Sequence, residues 1–392
     1  YRLGENQSTV KLIEQLIEQV LGGDLDDELS RELQFLRGEA LAALDRPSAA
    51  LAAYEQVGTG PYADGALRGA GFAHAQRDDH RSAAHTFQQL VERFPASPFA
   101  AEAMFQLGVQ RLAMNDASGA WEALSSDLVA DNAESDYWRA AALAGLGRDD
   151  EALAILDRAS AASPGEELAG HIQVARGDLL VAEGRSAEAA RAYARGSSAS
   201  ALHAAAVTSL NSGDAEGALQ LVDQLLGQLP DGGADDPDIA LTRGEALFAL
   251  ERWAAAEAEF AHLVSSTRAI SRRAWCHYQL GDLETAATVF SDLARQHPDA
   301  AEAEEALAME GRCRSELGED DRARSAWQRY LQRHPQGSHG AEALLGLSRG
   351  ADDGERIVQL SALLDRHPRS DQAPQALLEL ADALAATGQT TL

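Results

Sequence analysis

An alanine followed four residues later by a large side chain recurs along almost the whole chain. Aligned on that alanine, the series runs Ala50, Ala83, Ala120, Ala152, Ala189, Ala218, Ala256, Ala286 and Ala323, spaced on average by about 34 residues. The large residues are Tyr54, Phe87, Leu124, Leu156, Tyr193, Val222, Phe260, Phe290 and Trp327. Twelve residues before each alanine stands a small one: Gly38, Gly71, Gly108, Ala140, Gly177, Ala206, Gly244, Ala274 and Gly311. Five before it is often a turn former, as at Asp78, Asn115, Gly147, Gly184, Gly213, Gly281 and Gly318. Twelve after it proline recurs, at Pro95, Pro164, Pro230, Pro298 and Pro335.

These residue types describe two helices and a turn. A small residue on each helix lets the two axes approach, and the large side chain fills the space one turn further on. Gly, Asn or Asp permits the turn between them. Proline ends the second helix, because it lacks an N–H and clashes with the preceding turn. One such pair cannot bury its apolar face, whereas a stack of them can. Apolar residues make up 45% of the chain and aromatics only 5%. A core of Ala and Leu suits closely packed helices better than sheets.

The spacing resembles the tetratricopeptide repeat, with its small residue at position 8, Ala at 20, aromatic at 24 and proline at 32. The resemblance covers roughly residues 28–392 and implies an all-α, right-handed α-solenoid of about ten to eleven helix-turn-helix units. Position 4 is rarely Trp, and the Leu-Gly pair is intact only at Leu107-Gly108. Nine units occupy 28–335. Residues 336–392 read as degenerate repeats or a cap, with Arg356 where the alanine belongs and a partial unit over 376–388. Residues 1–27 hold a lone amphipathic helix over 8–21, capped by Ser8 and ended by Gly22-Gly23, which fits the second helix of a truncated repeat. The Asp-rich stretch 231–237 and the Gly-Ala-Ser stretch 195–201 fall between repeats and read as long turns within one array.

Junctions such as PASPFAAEAMFQLG (95–108), PDAAEAEEAL (298–307), PQGSHGAEALLGL (335–347) and PRSDQAPQALLEL (368–380) are similar to the repeats of bacterial cell-envelope adaptors and lipoproteins. That resemblance implies a periplasmic or outer-membrane-associated protein; cytoplasmic adaptors carry similar repeats. The chain begins at Tyr1, so a removed export signal or lipid anchor is part of the expectation. No apolar run approaches the ~18 residues that span a bilayer.

Sixty-two acidic residues stand against 33 basic ones, a net charge of −29. Nucleic acid and anionic membranes both require a positive field, so neither is an expected partner of the repeats. The charge suits a halophile; the single lysine, Lys11, suits equally a GC-rich genome. Cys276 and Cys313 lie at equivalent places on neighbouring helices and read as small buried hydrophobes.

Catalytic signatures are mostly missing. One lysine leaves no P-loop, and H-E-x-x-H and C-x-x-C do not occur. GTGPYADG (58–65) follows a helix and reads as a loop. His297, His334 and His367 each precede a proline in one register, as polar helix ends do. His74, His80 and His85 are spaced off a common helix face, so no metal site is expected. No cofactor is implied.

In the tetratricopeptide family the first helices of successive repeats line a groove, through positions 2, 5, 9, 12 and 13. Carried over by register, these place Arg268, Trp275, Tyr278 and, one unit on, Arg312 in the groove. The segment 268–280 is the one basic, aromatic stretch of a very acidic chain. Arg272, Trp275, Tyr278 and Arg312 form a candidate peptide-anchoring patch, with Arg268 beside them. The competing reading is that the aromatics pack against the next repeat and the arginines neutralise local acid. Arg68 and Phe72 form a second candidate. A two-carboxylate clamp is not expected, since its lysines are missing. The chain therefore reads as a non-catalytic scaffold binding partner proteins through the groove; the alternative is a ligand-sensing or regulatory repeat domain of a larger protein.

Overall fold

The computed structural model describes residues 27–196, 198–229 and 236–387, together with Ser8, Lys11, Leu12 and Gln15. Apart from those four residues, the helix expected over 8–21 with its Gly22-Gly23 end lies outside them, as do Pro230, residues 231–235 of the Asp-rich stretch and Gly388.

The helices fall into two compact units, Tyr1–Ser198 and Ala199–Leu392. The division falls within the Gly-Ala-Ser stretch that the sequence reads as a turn. The first unit contains α1 (Asp27–Ala43), α2 (Pro47–Glu55), α3 (Ala63–Ala75), α4 (His80–Arg93), α5 (Ala100–Ala113), α6 (Ala117–Leu124), α7 (Ala133–Gly145), α8 (Asp149–Ala161), α9 (Glu166–Ala182) and α10 (Ser186–Arg195). The second contains α11 (Ala199–Asn211), α12 (Ala215–Gln228), α13 (Pro237–Ala249), α14 (Trp253–Phe260), α15 (Thr267–Gln279), α16 (Leu283–Gln296), α17 (Ala303–Glu316), α18 (Asp320–Arg333), α19 (Gly340–Ser348), α20 (Asp353–Arg366) and α21 (Ala373–Ala386). Odd-numbered helices are the first members of pairs and even-numbered helices the second. Within each unit successive helices pack together, and first helices also touch first helices: α1 with α3, α5 with α7, α7 with α9, α11 with α13, α13 with α15, and α17 with α19. The chain is an all-α helical-repeat solenoid, ten pairs and a further helix among the described residues.

The periodic residues occupy the places their chemistry predicts. Each aligned alanine is buried, from Ala50 at 0% exposure to Ala323 at 4%. The large residue four later lies over the small one on the partner helix: Tyr54 over Gly38, Phe87 over Gly71, Tyr193 over Gly177, Phe260 over Gly244. The residue five before the alanine is left-handed in all nine units, including Asp45 (φ 57°) and Glu251 (φ 59°), which the sequence does not single out as turn formers. An aspartate often follows that turn and caps the second helix. Asp79, Asp116, Asp214 and Asp282 each accept a hydrogen bond from the backbone N–H three residues on. His297, His334 and His367 are the C-terminal caps of α16, α18 and α20, their N–H groups donating to Leu293, Tyr330 and Leu363 carbonyls. After Pro335 the pairing continues through α19 and α20. Arg356 takes the alanine's place half-buried, its Nε donating to the Ser348 carbonyl at 3.4 Å.

Candidate functional site

Within the second unit α15 carries the basic, aromatic segment. Ser266 caps it by accepting from the Ala269 N–H, and Ala269, Ser271, Ala274 and Cys276 form its buried stripe. Arg268, Arg272, Trp275 and Tyr278 lie outside that stripe, as 3.6-residue periodicity requires. Arg268 Nε donates to Glu245 Oε1 on α13 at 2.6 Å, and Arg272 Nε reaches the same oxygen at 3.3 Å. Glu245 has only 9% of its side chain exposed. A carboxylate that deep needs compensating charge, and two guanidiniums supply it. The Arg272 guanidinium also stacks 4.6 Å from the Phe248 ring centre.

Trp275 is half-buried, edge-on to Tyr278 at 5.6 Å and to Phe290 at 6.0 Å. Tyr278 turns toward α17, where its hydroxyl donates to Glu316 Oε1 at 2.9 Å. Burial first, then that hydrogen bond and the charge of Glu316, hold the phenol above its ordinary pKa. Arg312 on α17 forms a two-pronged pair with Glu342 on α19, Nε and Nη2 each 2.7 Å from a carboxylate oxygen. Burial alone would raise the Glu342 pKa. Hydrogen bonds from His339 and Arg312 outweigh it and hold the carboxyl at about 2.

Beside this pair α17, α19 and α21 enclose a cavity of about 380 Å³. Arg312, Ser315 and Glu316 form one wall; Glu342, Leu345, Gly346 and Arg349 form another. Trp327 closes its depth, and Gln372 and Gln375 complete the rim. Arg349 is exposed and makes no hydrogen bond or ion pair among the described residues. The structure thus brings Tyr278 and Arg312 to one place, through Glu316, while Arg268 and Arg272 converge on Glu245. Arg349, Glu342, Gln372 and Gln375 were missed by sequence reasoning. The register that locates Arg312 locates Arg349 too, at position 13 of the following unit, but Arg356 in the alanine's place obscures that unit.

In the first unit Arg68 on α3 donates through Nε and Nη2 to Glu102 on α5, at 2.5 and 3.0 Å. Its guanidinium lies 5.2 Å from the Phe72 ring centre and 5.3 Å from that of Phe99. All four nominated arginines therefore pair with a carboxylate on an adjacent first helix. A ligand carboxylate at Arg68, Arg268, Arg272 or Arg312 must compete with a partner already in place.

The histidines of the first unit face separate partners. His74 approaches Asp79 at 3.5 Å, His80 bonds Gln110 at 2.9 Å and His85 bonds Gln89 at 2.9 Å. Among the described residues no three His, Cys, Asp or Glu side chains converge as metal ligands, and no helix is long and apolar enough to cross a membrane.

Comparison with known proteins agrees with this geometry. A tetratricopeptide repeat-like domain family matches residues 70–210, and a tetratricopeptide repeat family matches 268–300 and 305–337. No curated protein matches the sequence. Among solved structures, the C-terminal part of a TPR repeat-containing protein from Cytophaga hutchinsonii aligns with a TM-score of 0.50 at 16% identity, over 62% of this chain and 99% of that one. A tetratricopeptide repeat protein from Parabacteroides merdae aligns at 0.33 and 14% identity, over 73% and 98%. The APC/C hetero-tetramer Cut9-Hcn1 aligns at 0.38 and 12%, over 97% and 93%. At 16% identity the likeness to the Cytophaga hutchinsonii structure is one of fold. With the nine-fold register, the paired helices and the family matches agreeing, the chain is a tetratricopeptide repeat protein.

Proposed function

We propose that this chain is a non-catalytic interaction scaffold that holds an extended peptide segment of a partner protein in the groove of α17, α19 and α21. Tetratricopeptide repeats act generally as protein-interaction scaffolds, and the groove supports the finer reading. The observation that carries it is the cavity at Arg349. It presents a cation with no bonded partner among the described residues beside two amides, over a floor closed by Trp327. Amides pair with peptide backbone, and a free guanidinium takes a carboxylate without displacing one. Tyr278 and Trp275 extend the same face with aromatic contact area. The junction sequences support a place in a bacterial cell-envelope assembly, periplasmic or at the outer membrane.

The test is capture of partners by wild-type protein and by Arg349→Glu, with Arg272→Glu/Trp275→Ala as a second variant. Arg349 is exposed and bonds to nothing among the described residues, so its reversal reports contact with a ligand and not loss of fold. A specific partner held by wild type and lost from Arg349→Glu supports the reading. The same partners on all three proteins remove it. Fractionation of the native host tests the location: recovery with cytosolic markers alone ends the envelope assignment.

A further inference from the structure

The first unit carries a second surface, away from the contacts between first helices. A cavity of about 270 Å³ lies among α8, α9 and α10 and the turn before α10. Arg176, Arg185, Arg191 and Arg195 line it, with Asp157 and Glu188, over an aliphatic floor that includes Leu153 and Leu180. Four guanidiniums against two carboxylates reverse locally the balance of a chain with 62 acidic and 33 basic residues.

The arginines are unequally engaged. Arg185 grips Glu188 with Nε and Nη2 at 2.8 and 2.7 Å and Glu183 with Nη1 at 2.9 Å. Arg176 spends Nη2 on Asp157 at 2.6 Å and Nη1 on Gln173 at 3.0 Å, while its Nε is buried with no acceptor. Arg191 is exposed and makes no hydrogen bond or ion pair among the described residues. Glu188 shows what this field does to a carboxylate. The hydrogen bond from Arg185 leads, opposed by desolvation, and the charges of Arg185, Arg191 and Arg176 add to it. Together they hold the carboxyl below its ordinary range.

We infer that this notch binds an acidic segment of a partner protein, with an aliphatic side chain on Leu153 and Leu180 and carboxylates at Arg191 and Arg176. This rests on the scaffold reading only in that the occupant is a protein; the surface is separate from the groove. Two features favour a peptide over a phosphate. The resident carboxylates of Asp157 and Glu188 oppose a dianion more than a monoanion, and a phosphate leaves the aliphatic floor uncovered. A nucleic acid meets a net charge of −29 on approach.

The probe is a fluorescent decapeptide of alternating glutamate and leucine, beside its glutamine counterpart, titrated into the full chain at low salt. Saturable binding of the glutamate peptide is expected, weakened about tenfold by Arg191→Glu and declining with salt. Arg191→Lys should retain most of it, and Arg81→Glu, an exposed change on α4 outside both surfaces, should bind as wild type. Because Arg191 is exposed, the variants should keep the wild-type circular dichroism; Arg191→Gln repeats the test with a smaller change. Absence of saturable binding, equal binding of the glutamine peptide, or full affinity in Arg191→Glu overturns the proposal. Loss in Arg349→Glu alone also overturns it and moves the acidic peptide to the groove. Equal competition by inorganic phosphate makes the notch a general anion site and ends the peptide assignment. Failure of the groove variants to release a partner leaves these outcomes unaffected.

Discussion

Trp327 lies so close over Gly311 that a Cβ at Gly311 would come within 2.6 Å of the ring atoms Cδ2 and Cε2. The two residues are sixteen apart, one on each helix of the α17–α18 pair, and Trp327 is 1% exposed. Gly346 on α19 approaches the same indole from the next pair. The ring is therefore clamped between two backbones, with Nε1 donating to Ser315 Oγ at 3.3 Å. Interiors packed at crystal density leave little room for adjustment.

Gly311→Ala should accordingly destabilise the second unit, although alanine is the better helix former. Overpacking costs about 1–3 kcal/mol, and helix propensity returns up to about 1 kcal/mol. A net loss of about 1–2 kcal/mol in urea unfolding is the expected result. Trp327→Leu in the Gly311→Ala background should cost less than Trp327→Leu alone, because the shorter side chain leaves the added methyl its space. A rise in the unfolding midpoint of Gly311→Ala would mean that the ring is free to move.

This clamp was legible in the sequence because it is steric and repeats with the fold's own period. The left-handed turns were legible where glycine, asparagine or Asp78 marks them. Asp45 carries the same aspartate signal without having been singled out, and Glu251 was not legible, a side chain that rarely adopts that conformation and is held there by the helix pair around it. The groove divides in the same way. Arg312 and Tyr278 could be placed by register. That Arg268 and Arg272 share one carboxylate, Glu245, depends on how α13 packs on α15, and no local pattern reports that. Arg349 lay in a unit whose alanine signal Arg356 had erased, so a groove cation that has no bonded partner among the described residues was missed.

Glu342 gives a pH dependence with a definite sign. Its carboxyl titrates near 2 in the folded chain, below the ordinary glutamate value of about 4.3. A depressed folded pKa contributes stability that is complete above the unfolded pKa and is lost as pH falls through the folded one. The window therefore runs from about pH 4.5 down to about pH 2. Wild type should exceed Glu342→Gln by about 1–3 kcal/mol at pH 6, and the gap should close progressively below pH 4. Urea midpoints of both proteins across that range measure it, and a constant gap would remove the ion pair with Arg312 as its cause.

Cys276 and Cys313 are both fully buried, and burial is the leading cause that pushes each thiol up to about 12. The thiolate is the reactive species. Neither cysteine should react with an aromatic disulfide reagent in the folded chain at pH 8, and both should react on unfolding in urea. The rate of labelling at low urea would then report opening of α15 and α17. Prompt labelling of either thiol under native conditions would show that its helix is not packed as described.

Arg139 on α7 is a heavily engaged cation of the first unit, with 8% of its side chain exposed. Its Nε donates to the Leu124 carbonyl at the end of α6, and its Nη2 donates to the Val129 carbonyl. Its Nη1 pairs with Asp131 at 2.6 Å and Asp136 at 3.2 Å. Asp136, 6% exposed, is held from the other side by Arg158 at 2.7 and 2.5 Å. Burial pushes its carboxyl up, but the hydrogen bonds from Arg158 and Arg139 outweigh that and keep it ionised below its usual range. One guanidinium thus satisfies the end of a helix, the segment 125–132 and a buried acid together. Arg139→Met should cost about 2–4 kcal/mol, moderated because Arg158 still neutralises Asp136. Arg139→Lys should restore only part of this, since one ammonium cannot reach carbonyls and carboxylates in a planar fork. Faster amide exchange and earlier proteolysis within 125–132 should accompany the loss in both variants. Unchanged protection of that segment in Arg139→Met would show that α6 and α7 hold it without the guanidinium.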